Sequence, residues 1–183
     1  ELAPKSGLAH FKLAEFLALK TNRVEEAEKE YREAIQLDPS SDSARVGYAF
    51  LLIDQKHVYD KSYDQLKEAI RINQRNAKAY LGLGRIQMEL YKNYPAAEAE
   101  IKKALAISPN FAEAYDVYGV LLSMRMSRFS EAKSAFEKAI AADSKASQPL
   151  YHYAQMLITQ GKDIEHANKL LRAAIDLNPK ESS

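Results

Sequence analysis

Apolar positions along the chain recur every 35 residues. Ala34, Ala69, Ala104, Ala139 and Ala174 share one register, and Ala27, Ser62, Ala97, Ala132 and Ala167 share a second. A third holds Ala14, Ala49, Gly84, Gly119 and Ala154, so all three take small side chains. Large side chains hold three more: Leu13, Tyr48, Leu83, Tyr118 and Tyr153; Tyr31, Leu66, Ile101, Phe136 and Leu171; Val24, Tyr59, Tyr94, Phe129 and Ile164. The five repeats fit without insertion or deletion, and a fixed period in this range marks a repeat architecture. Within each repeat the apolar residues follow helical spacing. The pattern predicts first helices over about 8–20, 42–55, 77–91, 112–125 and 147–160, and second helices over about 24–37, 59–72, 95–107, 129–142 and 163–177.

Start and stop signals agree with these spans. Ser147 before Gln148-Pro149 reads as an N-cap with proline in the first turn, and Pro95 opens a second helix in the same way. Asp42 and Asn76 are placed to cap their helices. Asp38-Pro39, Ser108-Pro109 and Asn178-Pro179 read as stops. Residues 1–6 are expected to form an irregular lead-in and 180–183 to fray. Small columns facing large ones imply close helix packing, as at Gly84 and Ala104, with Tyr118 and Phe136 filling the gaps.

These columns resemble the tetratricopeptide repeat, whose pattern runs W-x2-L-G-x2-Y, then A-x3-F, then A and P. The third repeat supplies Tyr80, Leu83, Gly84, Gln87, Ala97, Ile101, Ala104 and Pro109 at those positions. The fourth supplies Tyr115, Tyr118, Gly119, Leu122, Ala132, Phe136 and Ala139. Two departures are visible. The repeat here is one residue longer than the family's, and the extra residue is placed in the turn between the two helices. The final proline is present only at Pro39, Pro109 and Pro179. The resemblance implies an all-α fold, a right-handed α-solenoid of stacked helix-turn-helix repeats. It covers nearly the whole chain as one domain, 1–183, with repeats at about 7–41, 42–76, 77–111, 112–146 and 147–181.

Composition narrows the chemistry. The 183 residues carry 26 Lys+Arg against 25 Asp+Glu, 14 of each sign through Tyr91 and 12 against 11 after it. Bulk charge therefore points to neither nucleic acid nor membrane. No cysteine is present, which excludes a disulfide framework, thiolate metal ligation and a cysteine nucleophile. The four histidines, His10, His57, His152 and His166, form no zinc motif. Gly82-Leu83-Gly84 falls inside a helix and reads as close packing, not a phosphate loop. Carboxylates are expected on solvent faces, paired with Lys and Arg three or four residues away. The chain is read as no enzyme, with no cofactor and no metal. A soluble setting is expected, the cytoplasm slightly favoured, although composition does not fix the compartment.

Binding is the remaining class, because the concave face of such a solenoid is an extended recognition surface. The resemblance implies a groove lined mainly by first helices. The candidate residues are Phe11, Glu15, Val46, Phe50, Lys78, Leu81, Arg85, Met88, Asp116, Val120, Met124, Tyr151, His152 and Gln155. Methionine and aromatic side chains suit adaptable peptide surfaces. Arg85, Lys78, Asp116 and Gln155 are expected to set register on a protein or peptide partner. Phe11 and Glu15 stand where the subclass that clamps chaperone-tail carboxylates has lysine and asparagine, so the chain is read as outside that subclass. The alternative is a self-associating assembly module that stacks through its terminal helices, Leu170 and Ile175 included. Basic residues also recur at the inter-helix turns: Lys20, Arg23, Lys56, His57, Lys61, Lys92, Arg125, Arg128 and Lys162. Such an edge could meet phosphate or anionic lipid, but ordinary solvated turns are the expected reading.

Overall fold

The computed structural model describes residues 6–21 and 23–178. Among them there are ten α-helices and no strand. They are α1 Gly7–Phe16, α2 Val24–Leu37, α3 Asp42–Leu51, α4 Tyr59–Ile72, α5 Ala77–Glu89, α6 Tyr94–Ile107, α7 Ala112–Val120, α8 Phe129–Ala142, α9 Ser147–Thr159 and α10 Ile164–Leu177. The predicted spans hold to within two residues at nearly every boundary once the π-helical turns described below are counted with their helices. The irregular lead-in falls outside the described residues except for Ser6, and so do Pro179 and residues 180–183.

Caps show how local chemistry sets the helix starts. Ser6, Ser41, Asn76 and Asn93 each accept a hydrogen bond from a backbone N–H three residues on. Two expectations need correction. Asp42 is not the cap of α3: Ser41 is, and the Asp42 carboxylate accepts from the side chains of Asn73 (2.6 Å) and Asn76 (2.9 Å). Ser147 is the first residue of α9 rather than its cap, and Ala146 precedes it. Pro95 sits in the first turn of α6 as expected.

In three of the five repeats the thirty-fifth residue is absorbed in the helix rather than in the turn. First helices α1, α3 and α7 end in a π-helical turn, Leu17–Thr21, Leu52–Lys56 and Leu121–Arg125. A π turn is a one-residue insertion into α-helix. The carbonyls of Leu17, Leu52 and Leu122 accept from Arg23, Val58 and Arg128, six residues on, closing the widened turn. The chain then reverses through a left-handed residue: His57 (φ 54°), Lys92 (φ 52°) and Ser127 (φ 54°) stand at the same place in their repeats. The fifth repeat uses Gly161 (φ 64°) and Asp163 (φ 46°) instead.

The chain forms two compact units, Glu1–Tyr91 and Lys92–Ser183. In the first, each helix packs against its neighbours in sequence from α1 to α5. Its core joins Phe11, Ala14, Tyr31, Ala34 and Tyr48, with Tyr31 6.3 Å from the Phe11 ring and 6.2 Å from the Tyr48 ring. A second cluster holds Val46, Ile53, Leu66 and Ile86. In the second unit Leu122, Phe136, Tyr153, Met156 and Leu170 form the core, with Phe136 stacked on Tyr153 at 5.8 Å. Small positions are where backbones close in. A Cβ on Gly47 would meet the Tyr31 ring at 2.6 Å, and one on Gly119 would meet Phe136 at 2.5 Å. The small columns are sealed: Ala34, Ala69, Ala104 and Ala139 have no exposed surface.

Enlarging a sealed position should therefore overpack the core. Ala139→Leu is expected to lower stability by about 1–3 kcal/mol in urea melts. An unchanged midpoint and slope would contradict this packing.

Candidate binding surface

The repeat register sorts the candidate residues into columns, and the structure treats the columns differently. Phe11, Val46, Leu81, Asp116 and Tyr151 occupy one; the first four are buried, at 9, 4, 0 and 7% exposure, and only Tyr151 is open, at 47%. Met88 is buried as well. Phe11, Val46, Leu81 and Met88 are thus packing residues, for the ordinary reason that a large apolar side chain beside another helix gains most by leaving water. Glu15, Phe50, Arg85, Val120 and Gln155 form the neighbouring column, and all five keep solvent contact. Lys78 and Met124 are exposed beside this ridge.

In the first unit the ridge is charged and internally partnered. Arg85 Nη2 donates to Asp54 Oδ1 at 2.6 Å, and its guanidinium lies 5.6 Å from the Phe50 ring centroid. Glu89 follows one turn later, 3.9 Å from Arg85 Nε, and accepts a 3.4 Å hydrogen bond from Tyr59. Glu15 takes Lys12 at 2.7 Å. In the second unit the ridge is largely uncharged: Val120, Met124 and Gln155, with Glu113 and Gln148 nearby. The buried Asp116 is not presented to solvent; it holds His152 Nδ1 at 2.9 and 3.0 Å. Of the four residues expected to set register, Arg85 and Asp116 are therefore engaged within the chain, while Lys78 and Gln155 face outward.

Two charged networks were not legible as such. The expectation that carboxylates lie on solvent faces fails at Glu28, which is 6% exposed. Glu28 accepts from Tyr48 Oη at 2.8 Å and pairs with Arg32 and Lys56. Seventy residues on, the second unit repeats the arrangement. Glu98 accepts from Tyr118 (2.9 Å), Lys102 (2.7 Å) and Arg128 (2.7 Å). Burial alone would push the Glu98 carboxyl up, but the three donors outweigh it and bring it down to about 2. Glu28 is lowered too: burial opposes, and the bonds from Lys56 and Tyr48 prevail. The usable signal was the double period: Glu28 with Glu98, Arg32 with Lys102, Tyr48 with Tyr118.

Part of the basic turn edge is internally paired as well. Arg23 forks onto Glu26, Lys56 bridges Glu25 and Glu28, and Arg128 holds Glu98 and Glu131. Lys61 lies over the Tyr48 ring at 5.1 Å. Ordinary paired turns describe this edge better than an anion site. Among the described residues no group of three or more His, Asp or Glu is placed to hold a metal, and no helix is long and apolar enough to cross a membrane.

Helix pairs with small-on-large packing every 35 residues define a class, the all-α solenoid of helix-turn-helix repeats. The tetratricopeptide repeat profile matches residues 1–42, 55–110 and 120–182, and the chain belongs to that family. Comparison with curated proteins gave no match. Solved structures share the fold. A thermophilic tetratricopeptide protein of Thermus thermophilus is 16% identical, with TM-score 0.79 over 96% of this chain and 93% of that one. YrrB, described as having an unusual peptide-binding site, is 23% identical, with TM-score 0.59 over 97% and 89%. Yeast Tom70 is 22% identical, with TM-score 0.71 over 95% of this chain and 34% of its own.

A carboxylate held below its ordinary 4.5 adds stability above that pH and loses it as pH falls toward about 2. Glu98→Gln should be less stable than the parent at about pH 6, and the difference should shrink between those two values. A difference independent of pH in urea melts would show that Glu98 is not the ionised hub.

Proposed function

We propose that the chain is a non-enzymatic protein–protein interaction scaffold that takes a peptide or helical segment of a partner on its first-helix ridge. The observation that carries this reading is the column Glu15, Phe50, Arg85, Val120 and Gln155: every 35 residues a side chain at the same helical position keeps solvent contact, and in every repeat but the first both its chain neighbours are buried. Within each unit such periodic presentation gives an extended ligand regularly spaced contacts. The fold shared with YrrB, whose described site binds peptide, supports the reading by analogy.

The two units offer different chemistry. The first presents Phe50 with Arg85 already balanced by Asp54, so a partner there gains apolar contact without meeting an unpaired cation. The second presents Val120 and Met124, the latter 41% exposed, flanked by Gln155. It suits an apolar anchor with amide hydrogen bonding beside it.

Selection from a random peptide library, followed by fluorescence anisotropy, tests the proposal. Phe50→Glu or Met124→Glu should weaken an enriched peptide by at least about tenfold, or ~1.4 kcal/mol. Neither substitution touches a sealed position, so the far-UV spectrum should be unchanged. No enriched peptide, or affinities indifferent to both substitutions, would contradict the reading.

A further inference from the structure

The sulfur of this chain is all thioether: Met88, Met124, Met126 and Met156, with no cysteine. The fold treats the four differently. Met88 and Met156 are buried, at 6 and 3% exposure. Met126 is half-buried against the core of the second unit, and Arg128 Nη1 donates to its sulfur at 3.8 Å. Met124 is 41% exposed, in the π-helical turn Leu121–Arg125 beside Val120. A thioether reacts with oxidants through a sulfur lone pair, so burial, or a donor on the sulfur, protects the other three.

The repeat register shows what oxidation at Met124 changes. Asp54 and Glu89 stand at the same place, 70 and 35 residues earlier. Asp54 Oδ1 accepts from Arg85 Nη2 of the next first helix at 2.6 Å, and Glu89 accepts from Tyr59 Oη at 3.4 Å. The second unit thus has a thioether where the first has hydrogen-bond acceptors. Arg85 lies 31 residues beyond Asp54. The residue at that same spacing from Met124 is Gln155, an exposed amide on the ridge. We propose that Met124 is an oxidative modification site whose sulfoxide oxygen accepts from the Gln155 amide, as Asp54 accepts from Arg85. The co-reactant is a hydroperoxide. The sulfur lone pair attacks its distal oxygen, and an S–O bond forms as the O–O bond breaks. Sulfur is oxidised, and the other peroxide oxygen takes the proton and leaves as water or an alcohol. The sulfoxide oxygen stands as many bonds from Cα as Oε of Glu89, so it has the reach of that carboxylate. The consequence for binding rests on the peptide-ridge reading above. Oxidation replaces an apolar anchor by a polar group and engages the amide beside it, so a partner loses both contacts together.

Mild treatment of the full chain with hydrogen peroxide, followed by peptide mapping in a mass spectrometer, tests the site. Met124 should take up one oxygen at least about tenfold faster than Met88, Met126 or Met156. Uptake spread evenly, or falling first on another methionine, would overturn the site. On the singly oxidised chain the Gln155 side-chain amide protons should move downfield in NMR spectra, and methionine sulfoxide reductase should return them. Unmoved amide signals would overturn the pairing. Neither readout uses a partner, so both stand even where no peptide is enriched and the binding reading fails. With an enriched peptide, oxidation should weaken affinity at least about tenfold, and the reductase should restore it. Met124→Leu should bind that peptide and be indifferent to peroxide. Equal affinity before and after oxidation at Met124, or peroxide that still weakens Met124→Leu, would overturn the effect on the ridge.

Discussion

The structure depends on the close approach of small-residue columns to large ones. Ala34, Ala69, Ala104 and Ala139 have no exposed surface, and each lies three residues past a large side chain that fills the space its own small side chain leaves. Tyr31, Leu66, Ile101 and Phe136 are those side chains, all between 0 and 3% exposed. Each fully buried side chain of this size contributes about 1.5–3 kcal/mol, but only if the facing backbone comes near enough to exclude water. A repeat cannot satisfy that condition alone, so each pair of helices needs its neighbour. The periodicity is therefore a packing requirement, and it leaves the ridge free to vary.

That division of labour explains what the sequence made legible. Columns with one physical character, small or large, could be read directly: Ala139 against Phe136 predicts a helix contact whatever surrounds it. Helix spans followed, because Pro95 and Asn76 act within one turn of where they stand; at α3 the cap is Ser41, one residue before the Asp42 expected. Positions on the first helices could not be sorted in the same way. Val46 and Val120 are the same residue type on equivalent helices, yet one is buried and the other reaches solvent. They stand four residues apart in the repeat register, and which of those two columns is buried emerges only from the fold. Glu28 and Glu98 escaped notice for a related reason. An acid next to a lysine or arginine on its own helix looks like a surface pair until a tyrosine from the next repeat closes over it. The turn also misled, because a one-residue excess reads as loop, whereas in three of the five repeats the π-helical turns Leu17–Thr21, Leu52–Lys56 and Leu121–Arg125 take it up.

The surface that remains after packing is served carries the functional account. Arg85, engaged by Asp54 and Phe50, is a positioned cation whose charge is already balanced. Asp116 belongs to the interior through His152. On the proposed reading, a partner meets Phe50 in the first unit and Val120, Met124 and Gln155 in the second. Affinity on such a ridge comes from a few apolar anchors, with polar neighbours fixing register.

Hydrogen exchange of the chain with and without a bound peptide tests the central claim most directly. The account predicts slowed exchange in the first helices of the unit that holds the peptide, within 42–56 and 77–89 or within 112–125 and 147–159, with second helices unchanged. Protection confined to the second helices, or to the inter-helix turns, would place the binding surface elsewhere and contradict it.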